Sequence, residues 1–110
     1  MELVENWIAG GTQIDAIICH NDIMAMGALQ ACQDAGLEIP IIGIDATYDA
    51  LCAVKDGTLA ADVYQDVYGQ AEEAFNVCMR ILNGETFEQT TYVPFKLITK
   101  DNVDEYLANF

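Results

Sequence analysis

The sequence predicts an α/β protein: a doubly wound, three-layer α/β/α fold with a mainly parallel sheet of about four strands. Two observations carry this expectation. Short runs of β-branched and small apolar residues, without in–out alternation, recur at residues 14–19, 41–44 and 59–64. Such runs suit strands covered on both faces. Ala- and Met-rich stretches at helical spacing alternate with them and mostly stop at a glycine, giving the order βαβαβαβα.

Taken in order, Leu3, Val4, Trp7 and Ile8 recur at helical spacing before Gly10 and Gly11. Residues 1–9 therefore read as an amphipathic helix with Trp7 in the core. No signal-peptide pattern precedes it, and a chain that opens inside an element reads as a piece of something longer. The strand at 14–19 follows, then a helix over 23–35. Asp22 is its expected N-cap, because a carboxylate accepts the amide hydrogens of a first turn. Gly27 within that helix costs about 1 kcal/mol against Ala, which close packing on the sheet would explain. Pro40 opens the second strand, which ends at Asp45, and Tyr48–Asp56 reads as a short helix closed by Gly57. The third strand delivers Gln65 and Asp66, and Val67–Leu82 reads as a longer helix stopped at Asn83 and Gly84. Residues 91–98 read as β-rich, and Asp101 as the N-cap of a last helix with Asp104 in its first turn.

With 110 residues there is material for one small core. An apolar content of 53% excludes a disordered tail, and no apolar run is long enough to cross a membrane. A net charge of −14, with four Lys or Arg, argues against nucleic acid and anionic membrane surfaces as partners. Cys19, Cys32, Cys52 and Cys78 lack CxxC or Cys/His metal spacing and read as buried thiols. Cys19 and His20 are adjacent, but strand neighbours point to opposite faces and would not meet as a catalytic dyad.

Doubly wound sheets bind ligands at the carboxyl ends of their strands. Asn21, Asp45 and Gln65 stand at three such ends, and right-handed crossovers would bring them to one edge. Asp45 accepts hydrogen bonds strongly, while Asn21 and Gln65 both donate and accept. That set suits the neighbouring hydroxyls of a small neutral sugar or polyol. It does not suit phosphate, since neither a Gly-rich loop nor a Lys accompanies it. The expectation is non-catalytic binding with no cofactor and no metal. A magnesium-dependent receiver or phosphatase-like enzyme built on Asp22 and Asp45 would need a Lys at the strand ends. Lys55, Lys96 and Lys100 fall elsewhere.

Several stretches together resemble a known family. They are His20, Asn21 and Asp22 with residues 24–28, then Gly43, Ile44 and Asp45, then residues 57–61 running to Gln65. Asn83 and Gly84, with residues 98–103, complete the pattern. In that order and spacing the chain resembles the last third or so of the type I periplasmic binding proteins of sugar ABC transporters, the ribose- and galactose-binding group. The resemblance implies two α/β lobes closing on one sugar through a three-stranded hinge. It implies that Asn21, Asp45 and Gln65 hydrogen-bond sugar hydroxyls, with Gln65 at the hinge. It further implies that residues 1–110 form a single incomplete lobe, while 66–91, a hinge crossing plus helix, belongs to the other lobe. An extracytoplasmic location, periplasmic or as a cell-surface lipoprotein, and ABC permease subunits as partners follow from the same resemblance. The effector-binding domain of a sugar-responsive LacI-type repressor shares the fold; the ending KLITKDNVDEY favours the transporter group. Val67, Ala71, Ala74, Phe75, Cys78, Met79 and Leu82 form an apolar stripe on the helix near 67–82. With the other lobe absent, a homodimer through this helix is expected.

Overall fold

A computed structural model describes residues 1–110. The chain forms two compact units, Met1–Tyr64 with Leu97–Phe110, and Gln65–Lys96. The elements are α1 (Glu2–Ala9), β1 (Ile17–Ile18), α2 (Asp22–Asp34), β2 (Ile41–Ile42), α3 (Tyr48–Asp56), β3 (Asp62–Tyr64), α4 (Val67–Leu82), β4 (Lys96–Ile98) and α5 (Val103–Leu107).

In the first unit β1 pairs in parallel with β2, Ile17 opposite Ile41 and Ile18 opposite Ile42. A parallel bridge from Ile42 to Ala61 leads on to β3. The Ala60 amide donates to the Ile41 carbonyl at 2.9 Å, and the Asp45 amide to Val63 at 3.0 Å. β3 is in turn hydrogen-bonded to β4. The expected α/β alternation and mainly parallel sheet are therefore present. The strands are shorter than the apolar runs that announced them, because a ladder exists only where a partner is in reach. The first ladder bond runs from the Ile17 amide to the Pro40 carbonyl at 2.9 Å. Pro40 has no N–H to return, so residues 14–16 stay outside the ladder. Residues 91–95, expected to be β-rich, likewise lack regular structure.

The core gathers Ile17, Ile41, Leu51, Val54, Leu59, Ile98 and Val103 around the small face of α2, Ala25, Ala28, Ala31 and Cys32. Five expectations need correction here. Ile18 is 74% exposed, so β1 is covered on one face only. Trp7 is 41% exposed and Leu3 is exposed; α1 instead buries Val4, with Ile8 packed against the core one turn later. Gly27 faces Met1, whose nitrogen would stand 3.2 Å from an added Cβ, so its small size serves a contact with the start of α1 and not with the sheet. Cys19 and Cys32 are buried, and burial raises both thiols, but Cys78 is exposed. The N-cap of α5 is Asn102 instead of Asp101, and the Asn102 Oδ1 accepts from the Thr99 amide at 2.8 Å.

α3 ends at Gly57, whose φ of 84° closes the helix in the left-handed conformation. Lys55 and Asp104 join α3 to α5 at 2.8 Å. Both side chains are exposed, so solvent screens the pair and it adds little to stability.

In the second unit Asp66 caps α4 by accepting from the Gly69 amide at 2.9 Å. Glu88, Gln89, Thr91, Tyr92, Val93 and Phe95 then line a hollow against Gln70, Glu73, Ala74 and Val77 of that helix. α4 buries none of its residues.

Candidate functional site

The residues after β1 and after β2 lie at the same edge of the sheet, because the two strands are parallel neighbours. Asn21 follows β1 with extended backbone, φ −155° and ψ 169°, the conformation of an N-cap. Its Oδ1 accepts from the Met24 amide at 2.9 Å. Asn21 therefore takes the capping role expected of Asp22, which is already the first helical residue. Asp22 instead turns inward and is 1% exposed. Its Oδ2 accepts from the Thr47 amide at 2.7 Å and the Thr47 hydroxyl at 2.8 Å. Gly43 makes room for this: an added Cβ would collide with Asp22 Oδ1 and stand 3.3 Å from the Ala25 Cβ.

Asp45 follows β2 with φ at 125°, and Ala46 continues at 57°. Both lie in the region that L-residues avoid, at a cost of order 1–3 kcal/mol each. The turn persists because its flanks are held, by the Asp45 amide on Val63 and by Thr47 on Asp22. Asp45 itself is exposed. Asn21 and Asp45 thus share one edge of the first unit. Gln65 directly follows β3 and is the first residue of the second unit.

Sequence reasoning passed over Asp62, which is 0% exposed at the start of β3. Its Oδ1 accepts from the Val63 amide at 2.6 Å, and the Ala46 amide also hydrogen-bonds its carboxylate. Burial, and then the neighbouring Asp22 charge, push its carboxyl up from 3.8 to about 6. The signal was present: one acid inside the apolar run 59–64. No cluster of three or more His, Cys, Asp or Glu is placed to hold a metal ion.

A parallel sheet edge with polar side chains after successive strands is the binding edge of open α/β proteins. The family model of the periplasmic binding protein domain matches residues 2–86. The chain belongs to the periplasmic binding protein family. Among periplasmic binding proteins it is 37% identical, over 100 residues, to the ribose import binding protein of Bacillus subtilis, a match covering 91% of this chain and 33% of that protein. With the xylitol-binding protein of Mycolicibacterium smegmatis it shares 38% identity over 103 residues, covering 92% and 30%. A solved ABC transporter solute binding protein of Bacillus halodurans, with bound myo-inositol, superposes with a TM-score of 0.84 at 41% identity. That superposition covers 99% of this chain and 38% of the other. The chain spans about a third of the length of the curated relatives it matches.

Proposed function

We propose that the chain supplies one ligand-facing sheet edge of the solute-binding component of an ABC importer, holding a small neutral sugar or polyol without converting it. Membership of the periplasmic binding protein family, over residues 2–86, carries this reading. The ligands of its relatives, ribose, xylitol and myo-inositol, share a row of hydroxyls on an uncharged skeleton. Asp45 would accept from such hydroxyls, and Asn21 would donate through Nδ2, its Oδ1 being used in the helix cap. Gln65, at the entry to the second unit, would add a further amide. In this reading residues 1–110 are one incomplete lobe, and 66–91 is the crossing and helix of the other. The partners are permease subunits, the location is extracytoplasmic, and the net charge of −14 disfavours nucleic acid.

Calorimetry against a panel of neutral sugars and polyols tests this. A full-length protein containing the chain should bind one member saturably. This chain by itself should bind no member more tightly than roughly millimolar, about 4 kcal/mol. Its side-chain contacts, each worth a net ~0.5–3 kcal/mol, must offset association costs of several kcal/mol without an enclosing lobe. A full-length protein that ignores the whole panel sinks the ligand class. Micromolar binding by the chain alone sinks the incomplete-site reading.

The stripe on α4 is the second element of the proposal. Phe75 is 65%, Met79 41% and Leu82 79% exposed. Leaving each in water forgoes about 1.5–3 kcal/mol, which a second copy of the chain would recover. Light scattering at tens of micromolar should show a dimer that Phe75→Glu dissociates. A monomer indifferent to that substitution removes the dimer from this account.

A further inference from the structure

Two buried side-chain oxygens of this protein have no donor, Asp22 Oδ1 and Asp62 Oδ2. Their residues are 1% and 0% exposed, and the two carboxyl groups lie within hydrogen-bonding reach of each other. Two carboxylates are both acceptors, so a hydrogen bond between them requires a proton. Two like charges in contact and out of water do not both stay ionised. Apart from the Val63 amide on Asp62, the remaining capacity of the pair is spent on one loop: Thr47 donates twice to Asp22, and Ala46 donates to Asp62. This is the turn with φ of 125° and 57° at Asp45 and Ala46, a backbone that needs holding.

We propose that Asp22 and Asp62 share a single proton, and that this acid pair clamps the loop of Asp45, Ala46 and Thr47 onto the sheet edge and loosens it when the proton leaves. The proposal does not depend on the ligand reading.

Other titratable groups on the elements meeting there are Cys19 and His20 ahead of α2, Cys32 and Asp34 within it, Asp45 beside the clamp, Tyr48, Asp49, Cys52 and Asp56 of α3, and Tyr64 at the end of β3. The cations on these elements are Lys55, held by Asp104, and the exposed Lys96 that opens β4. None supplies a buried positive charge to the pair. Asp62 is held at about 6 against 3.8 for an ordinary Asp. The folded pair therefore keeps a proton that the unfolded chain has released. Its contribution to stability is fully present below about 3.8 and is lost as pH rises through about 6.

Asp62→Asn tests the clamp, because the amide keeps the shape and donates to Asp22 without a proton to lose. Urea denaturation of both proteins should be followed from pH values below 4 to above 7, roughly the span of the linkage. The wild-type midpoint should fall relative to the variant as pH rises from about 3.8 to about 6, and hold level above that. A difference between the two midpoints that stays constant across the range overturns the proposal. Carbon NMR of the Asp side chains in the wild type keeps the question open to refutation even if the variant does not fold. One carboxyl should titrate near 6, and the Thr47 amide resonance should move in the same step. Two carboxyls already ionised well below that point, or a Thr47 amide that ignores the step, overturn it as well.

Discussion

Asp45→Ala, made in a full-length protein that contains this chain, is expected to weaken sugar or polyol binding by about 1.5–3 kcal/mol, roughly ten- to 150-fold. The lost group is a charged acceptor at the carboxyl edge of the sheet, where a hydrogen bond to an ionised group is worth about twice a neutral one. The loop should survive the change in outline. Its anchors are the Asp45 backbone amide on Val63 and the Thr47 contacts to Asp22, neither of which uses the Asp45 side chain. Ala tolerates the φ of 125° less well than Asp does. Asp45→Asn, which keeps a short polar side chain there, is therefore the control that separates charge from backbone strain. Calorimetry on the three proteins decides it, with urea denaturation alongside. An affinity unchanged in Asp45→Ala removes Asp45 from the binding edge.

Leu51→Ala is expected to destabilise the first unit by about 2–5 kcal/mol, the usual loss for a buried Leu. Leu51 is 0% exposed, and its amide donates to the Thr47 carbonyl at 2.9 Å in the first turn of α3. α3 packs against α2, β3 and α5, so a hole under it is felt on several sides at once. Against a total stability of some 5–15 kcal/mol for a domain, that is a large share. The urea midpoint should drop sharply. Leu3→Ala, on the exposed side of α1, should change it within about 0.5 kcal/mol. A Leu51→Ala loss no larger than that of Leu3→Ala would show that the core closes over the gap.

Elements whose ends are written in local chemistry were legible from the residues alone. α3 spans Tyr48–Asp56 and α4 spans Val67–Leu82, as the sequence predicts, because Gly57 and Asp66 act through their own backbone and side chain. Asn21 and Asp45 were legible as edge residues for a related reason. A polar residue that ends an apolar run ahead of a helix sits at a strand's carboxyl end whatever the packing around it.

Strand length, burial and the exact cap were not legible, because each depends on which groups come into reach. β1 shrinks to two residues since Pro40 offers a carbonyl but no amide at the place where the ladder begins. Asn21 and Asp22 have similar capping propensity, and their neighbours in space choose between them. Thr47, twenty-five positions along the chain, draws Asp22 inward, and the Met24 amide is left to Asn21. By itself, then, the sequence determined the kinds of element, their order and the polar residues delivered to the edge, because periodicity and turn chemistry are short-range. Tertiary structure alone decided that Asp22 and Asp62 face each other beneath that edge. A carboxyl group's solvation, and hence its proton, is set by atoms from α2, the loop after β2 and β3, which no local stretch of sequence contains.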